Sequence, residues 1–178
     1  MNNNHDTKKS SVCVIVGAGA GNGLALARRF SAQGGTVVLL ARNKTKLDKL
    51  TAQENSLKAV CTYSCDITNP EMVKTVFDQI NLEHGLITTL IYNAGNAVFD
   101  RITDASIKTL DQAWKTNVQG LLSCAQQVIP AMKESTDKTS IIVIGATASV
   151  KGSASFLSFS SAKGGQRNMA ESMARALG

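Results

Sequence analysis

A doubly wound α/β fold, a mostly parallel sheet with helices on both faces, is predicted by three features of the sequence. Short apolar runs alternate with longer amphipathic segments; the apolar runs show no polar alternation; and a glycine-rich turn joins the first run to the first amphipathic segment. Strands apolar on both faces belong in a parallel sheet covered by helices. Right-handed crossovers then give a strand order of about 3-2-1-4-5.

The elements follow in order. "VCVIVG" (12–17) reads as a buried strand, and "GLALARRFSAQG" (23–34) as a helix with Leu24, Ala27 and Phe30 on one face. Gly34 and Gly35 stop that helix. "TVVLLA" (36–41) is a second strand and "NKTKLDKLTAQ" (43–53) a polar-faced helix. "KAVCTYSCDI" (58–67) is a third strand, and in 69–83 Asn69 is placed as an N-cap with Pro70 at the first helical position. "LITTLIYNAG" (86–95) is the fourth strand; a long helix spans 106–133 with a break or bend expected near Pro130. "TSIIVIGA" (139–146) is the fifth strand, and a helix over 156–177 closes the sequence. Residues 1–10 are polar and read as a flexible tail, leaving 11–178 as a single domain.

Composition narrows the function classes. No run of eighteen apolar residues exists, so no transmembrane helix and no membrane role is expected. The net charge is +6, yet the basic residues are scattered and aromatics reach only 4%, so nucleic acid is not an expected partner. The two histidines, His5 and His84, and the four cysteines, Cys13, Cys61, Cys65 and Cys124, match no metal or redox spacing. No metal is expected, and the thiols read as reduced and structural in a cytoplasmic protein.

The turn "VIVGAGAGNGLA" carries Gly17, Gly19, Gly21 and Gly23. The spacing GxGxxG fails in both registers, but GxxxGxG fits Gly17, Gly21 and Gly23. Glycines there, with Asn22 among them as a further cofactor-binding residue, let the backbone approach a pyrophosphate, while the following helix offers free N–H groups and its positive dipole end. After the second strand come Ala41, Arg42 and Asn43, with no acid to grip the ribose hydroxyls of NAD(H). Arg42 suits a 2′-phosphate through its planar fork, and Lys46 is placed to assist. NADP(H) is therefore the expected cofactor.

With these pieces in place the sequence resembles the short-chain dehydrogenase/reductase family. The resemblance rests on "GAGAGNG" after strand one, "CDIT" (65–68), "NAG" (93–95), "TNVQG" (116–120) and the helix holding Lys163, in the family's order. It implies that Asp66 and Ile67 border the adenine and that Asn93, Ala94 and Gly95 line the middle of the cofactor. It implies that Asn117 holds a water and shapes the long helix; a helix-kink stabiliser is the plainer reading of the same residue. Lys163 would reach the nicotinamide ribose. The resemblance also implies a small-molecule substrate, a homo-oligomer packed through the long helices around strand five, and further C-terminal strands that these residues do not supply.

Two positions depart from the pattern. The family's tyrosine lies four residues before the lysine, where this sequence has Phe159; its partner serine lies thirteen earlier, where this sequence has Ala146. Carbonyl reduction builds negative charge on oxygen, which those hydroxyls neutralise. Losing one oxyanion donor costs roughly 10²–10³ in rate, and losing a general acid about 10²–10⁴. Among nearby hydroxyls, Thr147, adjoining Ala146, is the foremost substitute; Ser149, Ser155, Ser158, Ser160 and Ser161 read as capping or solvent-facing groups. Two functions stay open: an NADP(H)-dependent oxidoreductase of non-standard site, with Asn117 and Lys163 as its remaining catalytic groups, and a catalytically silent NADP(H)-binding protein.

Overall fold

The computed structural model describes residues 11–178; the predicted tail, 1–10, lies outside the described residues. Five parallel strands form one sheet in the order β3-β2-β1-β4-β5, as the alternation predicts. The strands are β1 Val12–Val16, β2 Thr36–Ala41, β3 Val60–Ser64, β4 Ile87–Tyr92 and β5 Ser140–Val143. The helices are α1 Asn22–Ser31, α2 Lys44–Ala52, α3 Pro70–His84, α4 Ile107–Trp114, α5 Gly120–Glu134 and α6 Leu157–Leu177.

The central strand β1 is buried along its whole length, because helices cover both its faces. One side of the sheet packs Val14, Val16, Leu40 and Tyr92 against Phe77 and Ile80 of α3 and Leu121 and Val128 of α5. The other packs Ile15, Leu39 and Ile91 against Ala27 of α1 and Leu47 of α2. Full burial of each large side chain contributes roughly 1.5–3 kcal/mol.

Local chemistry sets the ends. Asn43 Oδ1 accepts from the Lys46 N–H at 2.9 Å, and Asn69 Oδ1 from the Met72 N–H at 3.1 Å, the latter with Pro70 where predicted. Gly85 ends α3 at φ 88°, a conformation that favours glycine.

The predicted long helix contains an irregularity beyond the one expected. It does not break at Pro130, which lies inside α5. The carbonyl that Pro130 leaves unpaired belongs to Gln126, and both residues are exposed, so water can solvate it. The irregularity lies earlier, in a π turn over Lys115–Gln119. Side chains satisfy and hold that turn: Tyr92 Oη donates to the Thr116 carbonyl, Asn117 Nδ2 to Ala113 O at 2.8 Å, and Gln166 Nε2 to Asn117 O at 2.8 Å.

Candidate nucleotide-binding crevice

Chain direction diverges at β1, since β2 lies on one side and β4 on the other. In open α/β sheets such a switch point leaves a crevice at the carboxyl ends of the strands. Gly17 opens the turn there with φ 79°; its N–H and that of Ala18 both donate to Leu40 O at 2.9 Å. A Cβ on Gly17 would lie 2.4 Å from Ala94 Cα, and one on Gly23 would lie 2.7 Å from Ala18 Cα. Those two glycines serve the protein's own close packing. Gly19 and Gly21 differ: a Cβ on either meets nothing within 4 Å, so both face open space.

The crevice has two lobes that share Gly17, Gly19, Asn93 and Gly95. The larger, about 520 Å³, runs from the glycine turn past Arg42 and Lys46 to Asp66 and Ile67. Among the described residues, Arg42 and Lys46 form no ion pair, whereas neighbouring Lys44 is engaged with Asp48. Asp66 Oδ1 accepts from the Thr68 N–H at 3.0 Å and from its hydroxyl at 2.7 Å. These bonds, helped by the charge of Arg42, hold the carboxyl below its ordinary range. Asn93 Nδ2 donates to Gly17 O at 2.8 Å, which fastens the end of β4 to the glycine turn.

The smaller lobe, about 330 Å³, is lined by Gly21, Asn22 and Gly23 on one side and by Ala146, Phe159 and Lys163 on the other. Lys163 is not a surface lysine; it is 4% exposed. Its Nζ donates to Ile144 O at 2.7 Å and to Gln166 Oε1. Burial pushes its ammonium below the usual lysine range. Gln166, itself buried, passes the connection on to the Asn117 carbonyl. Asn117 is fully buried, and its Oδ1 has no partner among the described residues; that oxygen lies 3.5 Å from the Cβ position of Gly95 on the crevice wall.

Hydroxyl groups fall differently from expectation. The hydroxyl beside Ala146 is that of Ser149, whose Oγ accepts from the Ala146 N–H at 3.0 Å and so keeps its own proton to donate. Thr147 is exposed. Ser158 and Ser160, expected at solvent or as simple caps, are buried. Ser158 bonds Asp100 through both its N–H, at 3.0 Å, and its hydroxyl. Ser160 Oγ is buried without a partner among the described residues. Neither tyrosine lines the crevice: Tyr92 is committed to Thr116 O and Tyr63 to Glu83 and His84. Burial raises both phenols above their ordinary range.

Sequence reasoning missed Gln166 and Asp100. Gln166 follows Lys163 by three residues and so shares its helix face, a signal that was available. Asp100 gave no signal. It stands in for the N-cap that Phe156 cannot supply to α6, reaching it from a loop 58 residues away in sequence. All four cysteines are free, and burial pushes Cys13 up to about 12 and Cys65 to about 11, so neither of those two forms thiolate readily. Among the described residues no group of three or more metal-ligating side chains occurs, and no helix is long and apolar enough to cross a membrane.

A parallel sheet with a glycine turn at its switch point and a two-lobed crevice beside it defines a nucleotide-binding α/β protein. The short chain dehydrogenase family model matches residues 11–178, and the chain belongs to that family. An uncharacterized oxidoreductase of Staphylococcus aureus (strain USA300) is 35% identical over 125 residues, covering 69% of this chain and 53% of the relative. One from Staphylococcus epidermidis (strain RP62A) is 32% identical over 126 residues, covering 68% and 52%. The chain thus spans about half the length of these curated relatives. Among solved structures, a short-chain dehydrogenase from Streptomyces avermitilis superposes with TM-score 0.87 at 24% identity, over 96% of this chain and 62% of that one. Ligand-free aldohexose dehydrogenase of Thermoplasma acidophilum gives TM-score 0.80 at 25% identity, over 94% and 62%.

Proposed function

We propose that this chain binds NADP(H) in the crevice and belongs to an oxidoreductase acting on a carbonyl or alcohol through a non-standard site. The observation that carries the cofactor reading is the end of β2, where Arg42 and Lys46 face the larger lobe and no acid stands in the ribose position. The residues fit the group: Gly19 and Gly21 leave a cradle that a Cβ would narrow, and α1 presents its N-terminus to it. Arg42 would hold the 2′-phosphate, Asp66 and Ile67 the adenine side, Asn93 to Gly95 the middle, and Lys163 the far ribose. When bound, the nicotinamide supplies or accepts the hydride. Of the chain's own groups, Lys163 would donate a hydrogen bond at that end, Ser149 holds a hydroxyl against the Ala146 N–H, and Phe159 lines the lobe without offering a proton.

That last point favours a second reading, a protein that binds the nucleotide without turning it over. Ala146 and Phe159 together remove both hydroxyls that the family's carbonyl chemistry uses, and among the described residues no tyrosine enters the crevice to restore one. Titration with NADPH and NADH, followed by a screen of carbonyls and alcohols for cofactor turnover, separates the readings. Tighter NADPH binding with turnover abolished by Lys163→Met supports the enzyme; binding without turnover supports the silent protein; tighter NADH binding defeats the NADP(H) assignment.

A cytoplasmic homo-oligomer is the assembly we propose. Trp114 and Leu122, on the helices that the family resemblance implies are packed against a partner, are 39% and 43% exposed. Light scattering that gives a monomer mass at micromolar concentration would remove this part.

A further inference from the structure

We propose that the crevice discriminates between redox states of its nucleotide, holding the reduced form more tightly than the oxidised one. This rests on the NADP(H) reading above. A dinucleotide with its adenosine phosphate at Arg42 and its diphosphate over Gly19 and Asn22 has the smaller lobe left for its other ring. Among the described residues, Lys163 is the single charged side chain lining that lobe. Its ammonium is satisfied by two neutral acceptors, the Ile144 carbonyl and the Gln166 amide oxygen, and not by a carboxylate. Gln166 is locked in that orientation, since its Nε2 is committed to Asn117 O at 2.8 Å. Phe159, one helical turn before Lys163, lines the same lobe and has no group that ionises to a counter-charge.

The lobe's own side chains therefore supply one positive charge and no counter-charge, and the diphosphate, common to both redox forms, cancels from their comparison. The oxidised nicotinamide ring brings a second; the reduced ring is neutral. Like charges in a partly dry cavity repel far more than in water. A protein built this way reports the reduced fraction of a nucleotide pool through occupancy alone, with or without turnover.

Isothermal titration of the purified chain with NADPH and with NADP+ at one ionic strength tests this. The expected result is a dissociation constant for NADPH lower by roughly tenfold or more, the scale of one unit-charge repulsion at partial screening. In Lys163→Gln the ratio of the two constants falls to near one, whatever happens to each affinity. A purely structural role for Lys163 would weaken both forms alike and leave the ratio unchanged, which overturns the proposal. Gln166→Glu, of nearly the same shape, places a carboxylate against the ammonium and shrinks the ratio, so the proposal is tested even where Lys163→Gln does not fold. Equal affinities in the parent sink the selectivity and leave the cofactor reading intact. Binding of neither form sinks both.

Discussion

At the Arg42 end of the crevice the basic side chains form no ion pair among the described residues; at the Lys163 end the lysine is already bonded within the protein, and Ala146 and Phe159 offer no side-chain donor. Arg42 and Lys46 form no ion pair among the described residues, and Gly19 and Gly21 leave open room above the start of α1. Lys163, by contrast, spends two of its three donors on Ile144 O and Gln166, and Ala146 and Phe159 present carbon where donors would stand. On the silent-protein reading proposed above, one fold would keep a binding surface and lose a reaction surface. Binding tolerates this because phosphate recognition is spread over backbone N–H groups and a helix terminus. Proton transfer has no such redundancy; it needs a particular hydroxyl at a particular place.

The largest effect that would break this contrast comes from refitting the Lys163 end. Ala146→Ser/Phe159→Tyr restores both hydroxyls, and steady-state turnover with a carbonyl substrate is expected to rise by about 10²-fold or more. No gain would show that those two side chains do not limit turnover. Gly17→Val attacks the shared floor of both lobes. Its φ of 79° and the contact 2.4 Å from Ala94 Cα make any side chain strained. Thermal denaturation should show a loss of about 2–4 kcal/mol, with nucleotide binding lost as well.

Arg42→Ala sharpens the contrast from the other end. Removing a charge-assisted bidentate contact is expected to weaken NADPH by about 10–100-fold, corresponding to roughly 1.5–3 kcal/mol, while NADH changes little. Equal weakening of both would show that Arg42 serves the fold rather than the 2′-phosphate. Asp100→Ala removes the cap of α6 and should cost about 1–2 kcal/mol in denaturant unfolding, more than an exposed carboxylate would.

The smallest effect is in pH. Asp66 has a folded carboxyl held below its unfolded value by the Thr68 bonds and the charge of Arg42. A depressed carboxyl contributes stability that is present above the unfolded pKa, about 3.9, and is lost as pH falls through the folded one. Acid titration of stability below about pH 4 should therefore be shallower in Asp66→Asn than in the parent. Identical profiles would show that the Thr68 bonds make no difference to folding.

The residue string alone carried much of this. The apolar runs are long enough, and unalternating enough, to require a parallel sheet covered on both faces, and β-α alternation with right-handed crossovers leaves few strand orders. The glycine turn, Arg42 after the second strand, and the gaps at Ala146 and Phe159 are short-range facts written in adjacent letters. What the string could not carry is contact between segments far apart in it. Pro130 reads as a break or bend; the helix does not break there, and the orphaned Gln126 carbonyl is at the surface. The π turn arises because Tyr92 and Gln166 reach its carbonyls from β4 and α6. The burial of Lys163, its neutral partners and the capping of α6 by Asp100 likewise exist only once the sheet has brought these elements together. Periodicity and turn chemistry act between near neighbours; hydrogen-bond partners and desolvation are decided by packing.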